Sequence, residues 1–179
     1  MPPSFTIRPA LSADIPALEH LIAASARGLS PGYYTDAEIE AAVAHVFGVD
    51  SDLVADQSYF VVDIDGQPAA CGGWSRRKTL FGGDQFAARD SGYLDPAAEP
   101  AKIRAFFVSP GHARQGLGRA LLTHCENEAR RHGFTSAEMM ATLPGVDFYR
   151  RCGYQGDKIV THMTPDGTPL RFTPMLRAL

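Results

Sequence analysis

The sequence contains no Cys-x-x-Cys pair, and the spacings of its three cysteines, Cys71, Cys125 and Cys152, match no zinc site. No metal is expected. An odd thiol count, with no charged start and apolar run in MPPSFTIRPA, points to reduced cysteines, no leader and a cytoplasmic protein. No stretch approaches the roughly 18 consecutive apolar residues of a membrane span. Basic excess is also lacking. The net charge is −3, which argues against a general nucleic-acid binder. There is no internal repeat and no low-complexity segment. What remains is 179 residues, 45% apolar and 21% charged, the profile of one domain spanning residues 1–179 around one core.

The chain alternates short strand and helix patterns. Phe5 to Arg8 predicts a first strand. Ser12 or Asp14 can cap a helix carrying Leu11, Ile15, Leu18 and Ile22 at helical spacing, with Pro16 in its first turn and Gly28 at its end. Thr35 and Glu38 have capping-box spacing ahead of Ile39, Val43, Val46 and Phe47. Asp50 to Asp56 reads as a further helical piece. Tyr59–Ile64 and Gln67–Trp74 flank Asp65-Gly66 as a hairpin, and Gly72-Gly73 predict a bulge or a close approach. Arg76 to Pro100 has no period and reads as a long surface excursion, a lid or a disordered loop. Further on, Thr135–Thr142 is a strand, Val146–Cys152 a short helix and Tyr154–Thr164 a strand. Leu170–Leu176 returns across Asp166-Gly167, with Pro174 favouring an edge. An exposed strand of that hairpin could support a homodimer.

Between them lies the most informative stretch, Ala101 to Gly133. A strand apolar on both faces reaches Val108, and Pro110-Gly111 stops it. The turn Ala113-Arg114-Gln115-Gly116-Leu117-Gly118-Arg119-Ala120 leads into an amphipathic helix. Leu117, Leu121, Leu122, Cys125 and Ala129 lie on one side, and Arg119, Thr123, Glu126, Asn127 and Arg130 on the other. A helix N-terminus offers unpaired N–H groups and the positive end of its dipole to an anion. Gly116 and Gly118 let the backbone approach closely, and Arg114 and Arg119 add charge. Position 121 is leucine, so the six-residue dinucleotide fingerprint is not met. The segment Phe148-Tyr149-Arg150-Arg151-Cys152-Gly153-Tyr154 is the second motif. Tyr149 is either core or a phenol able to protonate a leaving group.

Taken together, Phe106-Phe107-Val108 followed by Arg114–Leu122, and then Phe148-Tyr149 with Gly153-Tyr154, resemble the GNAT superfamily of N-acetyltransferases. The close match covers roughly residues 102–154. The resemblance implies an α/β (α+β) fold with a mixed, mostly antiparallel sheet flanked by helices and splayed between its fourth and fifth strands. It implies acetyl-CoA as co-substrate and direct transfer of the acetyl group to an amine, small-molecule or protein, in a ternary complex. The backbone at Phe106, Phe107 and Val108 would pair with the pantetheine arm. Arg114, Gln115, Gly116, Leu117, Gly118 and Arg119 would hold the pyrophosphate, and Tyr149 would protonate the departing thiolate. Ala113 stands where the family usually has Arg or Gln, which leaves the cradle to backbone N–H groups. Pro144 stands where many members have Asn. Lys102 and Arg104 occupy the positions where some relatives keep a basic carboxylate, so Glu138, Asp147 or a water chain would have to serve. Three readings remain at this stage: an N-acetyltransferase, a non-catalytic CoA-binding sensor on the same fold, and an unrelated phosphate-ligand protein. Arg76–Pro100 and the first two helices are expected to line the acceptor site.

Overall fold

Period-2 alternation along one strand assigns the two faces of the sheet. In the computed structural model, which describes residues 4–86 and 89–179, Phe60 and Val62 point to one layer, and Tyr59 and Val61 to the other. The strands are β1 (Thr6–Pro9), β2 (Tyr59–Ile64), β3 (Gln67–Ser75), β4 (Ala101–Val108), β5 (Ser136–Thr142), β6 (Val160–Met163) and β7 (Pro169–Ala178). The helices are α1 (Ile15–Leu29), α2 (Asp36–His45), α3 (Ser51–Ala55), α4 (Leu117–Arg131) and α5 (Val146–Arg151). The sheet runs β1-β2-β3-β4-β5-β7-β6. Every neighbouring pair is antiparallel except β4 and β5. One apolar layer packs Leu117, Leu121, Leu122, Cys125 and Ala129 of α4 on the sheet, and the other packs Leu18, Ile22, Ile39 and Ala42 of α1 and α2.

The parallel pair is paired only at Ala101↔Ala137 and Lys102↔Glu138. Beyond those two rungs the strands part, so the sheet is splayed between its fourth and fifth strands. A bulge accompanies the opening. Gly73 faces Arg104 and Cys71 faces Phe107, which leaves Ala105 and Phe106 opposite Gly72. Ala105 takes the left-handed conformation at φ 52°, and the Tyr59 hydroxyl donates to its carbonyl at 2.9 Å. Both sequence readings of the glycine pair hold. A Cβ on Gly72 would sit 2.3 Å from the Phe106 ring, and one on Gly73 would sit 2.4 Å from the Ser58 carbonyl. Gly72→Ala is therefore expected to cost about 1–3 kcal/mol by overpacking and to push Phe106 into the opening. Urea unfolding checks this, and an unchanged midpoint would show that the ring swings aside freely.

Local signals held where the chemistry is local. Asp65 and Gly66 both have positive φ, at 50° and 76°, as a type I′ hairpin requires. The Thr35 hydroxyl accepts from the Glu38 N–H at 3.2 Å, and the Glu38 carboxylate accepts from the Thr35 N–H at 2.7 Å. Other expectations are corrected. Gly28 does not end α1; it lies inside the helix, where a Cβ would meet Pro110 at 2.6 Å. Asp14 stands at the N-cap of α1 without capping it, because its carboxylate pairs with Arg8 and accepts from the Leu11 N–H. Glu126 is not on an exposed face. It is 4% exposed, and it accepts from the Tyr154 hydroxyl at 2.9 Å and from Arg177 at 3.0 Å.

The span Tyr154–Thr164 is a strand only at Val160–Met163, with one bridge at Gln155. It forms the sheet edge, while β7 lies inside. Pro174 is accommodated in β7 because the β6 ladder covers only Pro169–Phe172. Its nitrogen, like that of Leu176, faces the side where Gln155 makes the next contact.

The Arg76–Pro100 excursion is pinned rather than loose in its described residues; Ala87 and Ala88 lie outside them. The Lys78 N–H donates to the Gly92 carbonyl and the Leu94 N–H to the Arg76 carbonyl, both at 2.8 Å. Arg77 grips Asp56 with two bonds of 2.7 and 2.8 Å. Arg89 reaches Asp50, Asp52 and Asp84. From β4 the buried Arg104 donates to Asp50 at 3.0 Å and to the carbonyls of Thr79 and Gly82. These ties fix residues 79–83 beside the opening.

Candidate active site

The splay opens a cavity of about 660 Å³ that passes between β4 and β5. Its walls include Ile103 and Ala105–Val108 from β4 and Met139–Thr142 from β5. Phe106 and Val108 belong to the α4 face of the sheet, whereas Phe107 and Met140 belong to the α1–α2 face. The cavity therefore runs through the sheet and has two chemically different ends.

The end on the α4 face is a polar cradle. Left-handed backbone at Arg114 (φ 62°) and Gly116 (φ 85°) curls the turn before α4. Gly116 is the N-cap and supplies no side chain to the first turn. Among the described residues, no backbone N–H from Arg114 to Arg119 donates to a protein acceptor. The arrangement can bind an anionic group. Arg114, Gly116, Leu117, Gly118 and Arg119 all line the cavity. Gln115 does not; its amide donates to the Gly111 carbonyl at 3.4 Å. Arg151 and His112 line the same end. Sequence reasoning did not single them out, because one arginine of an Arg-Arg pair and one histidine of six carry no distinguishing neighbours. The Nδ1 atom of His112 is buried with no hydrogen-bond partner among the described residues.

Tyr149 lines the cavity and is 8% exposed. Its ring is held edge-on by Phe148 at 5.0 Å and Tyr154 at 5.8 Å, and it lies against Gly145. Among the described residues its hydroxyl has no protein partner. Burial pushes the phenol well above its ordinary range, with the Cys125 and Cys152 thiols adding to the effect. It is a protonated acid at neutral pH. The thiols themselves are poor nucleophiles. Burial pushes Cys71 up to about 12, partly offset by the neighbouring Tyr59 hydroxyl, and also raises Cys125 and Cys152.

The carboxylates weighed as bases lie away from the centre. Glu138 is tied to Lys102 at the closed end of the splay. Asp147 reaches the rim, largely exposed and 3.2 Å from Arg150. Among the described residues, no group of three or more His, Cys, Asp or Glu side chains could hold a metal ion, and no helix is long and apolar enough to cross a membrane.

The opposite end is apolar. Phe47, Leu80, Phe81, Phe107, Met140 and Phe172 form its walls. Phe47 packs on Phe107 and Phe81 on Phe172, each pair at 5.3 Å. The end of α1 and the turn that follows it close it with Ser25, Leu29, Ser30 and Tyr33. The expectation that the excursion and the first two helices border the site thus corresponds to Leu80–Gly83, the C-terminal turn of α1 and residues 46–48.

Comparison with solved structures returns the same fold. A GCN5-related N-acetyltransferase from Rhodopseudomonas palustris superposes with a TM-score of 0.74 at 18% identity, over 100% of this chain and 98% of that one. The PaiA N-acetyltransferase of Thermoplasma acidophilum, solved in complex with coenzyme A, gives 0.65 at 13% identity over 98% and 99%. The ribosomal-protein-S18-alanine N-acetyltransferase of Escherichia coli gives 0.59 at 19% identity over 98% and 94%. No curated protein matches the sequence. The model of the Acetyltransferase (GNAT) family matches residues 19–154, from α1 through the Gly-rich turn to Tyr154. With the splayed sheet and the unpaired turn inside the matched region, the chain belongs to the GNAT acetyltransferase family.

Proposed function

We propose that the chain is a single N-acetyltransferase domain that moves an acetyl group from acetyl-CoA directly to a primary amine while both are bound. The carrying observation is one cavity in which an unpaired helix-start cradle, an open strand edge and a protonated phenol converge. Acetyl-CoA fits that set. Its pyrophosphate is an anion for the N–H groups of Arg114–Arg119, with Arg114 and Arg119 adding charge. Its amide-bearing arm pairs with Phe106, Phe107 and Val108 as a further strand would, on the side that β5 leaves free. The coenzyme A held by the Thermoplasma acidophilum protein supports this reading.

The amine nitrogen attacks the thioester carbon, and the carbonyl electrons move to oxygen, where a backbone N–H of β4 stabilises them. Collapse breaks the C–S bond. The Tyr149 hydroxyl gives its proton to the departing thiolate, and the proton shed by nitrogen returns to the phenolate through water. Buried, un-ionised thiols argue against an acyl-cysteine intermediate.

Calorimetric titration with acetyl-CoA, followed by a thiol-release assay on an amine panel, tests the proposal. Micromolar binding and amine-dependent release are expected. Failure to bind acetyl-CoA overturns the proposal, and binding with no release by any amine replaces it with a CoA sensor.

A further inference from the structure

The acetyl-transfer reading leaves the acceptor open, and the far end of the cavity bears on it. Besides the tyrosines Tyr33 and Tyr149, the titratable residues of the lining are His112, Arg114, Arg119, Asp147 and Arg151. All five lie on the segments that form the cradle and α5. The opposite end has no carboxylate to pair with an ammonium and no cation to pair with a carboxylate among the described residues. The two undescribed internal residues are alanines and could supply neither. The nearby carbonyls of Thr79 and Gly82 already accept from Arg104. Half-buried Phe81, Phe107 and Met140 turn apolar surface into the space instead.

Resting on the proposed acetyl transfer, we infer that the acceptor is a small primary amine on an aromatic or branched apolar body, and that it enters as the uncharged free base. Two physical arguments carry this. A polyamine or an amino acid would bury charges that this wall leaves uncompensated, at a cost no apolar contact recovers. An arylalkylamine buries only its ring, for which the phenylalanine walls offer edge-on contacts. The second argument concerns the missing base. Transfer from water to an apolar chamber disfavours ammonium and favours amine. The chamber thus delivers a nucleophile that is already deprotonated, and no carboxylate at the centre is required. The Tyr149 proton then goes to sulfur, and the proton released by the attacking nitrogen returns to the phenolate through water.

The test compares thiol release with 2-phenylethylamine, spermidine, L-glutamate and an alanyl peptide, alongside calorimetry with acetyl-CoA. 2-Phenylethylamine should give a kcat/KM at least tenfold above the other three. Phe81→Ser should raise its KM about tenfold and leave acetyl-CoA affinity unchanged. The pH at which kcat/KM levels off should follow the amine's own pKa, moving to lower pH with the less basic 2,2-difluoro analogue. A preference for spermidine, glutamate or the peptide overturns the inference, as does a pH limb that stays fixed across amines. If acetyl-CoA binds in those cases, the donor half of the proposed function survives; if it does not bind, both fall.

Discussion

Tyr149→Phe is expected to lower the turnover of thiol release by about 10²–10⁴-fold, the usual contribution of a positioned acid, while acetyl-CoA affinity changes by less than about twofold. The two effects separate because the substitution removes one oxygen and keeps the ring. The ring carries the packing against Phe148, Tyr154 and Gly145. Among the described residues the hydroxyl has no hydrogen-bond partner, so its removal strands none of them. Burial keeps the phenol protonated across the neutral range, so wild-type turnover should not fall through Tyr149 until well above pH 10. Single-turnover thiol release by the purified variant, with calorimetry in parallel, checks both halves. Unchanged turnover would remove Tyr149 from the chemistry; lost affinity would make it a binding residue.

A second large effect is expected far from the acid. Asp50→Ala should destabilise the protein by about 3–5 kcal/mol, the range for breaking one side of a buried pair. This corresponds to roughly 6–20 °C in unfolding temperature for a chain of this size. Asp50 and Arg104 are each 1% exposed, and the Arg104 Nε already lacks a partner among the described residues. Without Asp50 the guanidinium keeps only carbonyl acceptors, and desolvation already works against its charge. Arg89 loses one of three carboxylates in the same change, and the first turn of α3 loses the side chain that accepts from the Asp52 N–H at 2.9 Å. Thermal and urea unfolding read the loss. A shift below about 1 kcal/mol would mean that Asp52 and Asp84 compensate, as at a surface pair.

The contrast between these two residues shows what the sequence makes legible. Tyr149 could be singled out as a candidate because its motif is contiguous and short-range, as is the strand–turn–helix of residues 101–133. Alternation in β2, the Asp65-Gly66 turn and the Thr35–Glu38 box were legible for the same reason. The Asp50 cluster was not. It joins residues 39 and 54 positions apart, and no local pattern tells an arginine in a strand from a solvated one. Glu126 was misread by the same logic, since helical periodicity cannot reveal that Tyr154 and Arg177 arrive to satisfy a polar group on the buried side. Gly28 looked like a terminator and Pro174 like an edge residue; each proved to be fitted to its neighbours, Pro110 in one case and a gap in the β6 ladder in the other. The walls of the apolar chamber come from five separate stretches, at Phe47, Phe81, Phe107, Met140 and Phe172, and no local pattern shows that they meet.

The two rungs between β4 and β5 have one more consequence. Among the described residues, hydrogen bonding in the sheet links β1–β4 to β5–β7 only through Ala101, Lys102, Ala137 and Glu138. Above that joint the molecule is two half-sheets facing each other across empty space. A molecule seated in the gap becomes mortar between them, and filling the site is then inseparable from holding the halves together. By mass action, occupancy at a hundred times the dissociation constant adds about 2.7 kcal/mol to the folded state. For a chain built this way, the supply of the molecule that fills the gap also sets how long the fold lasts.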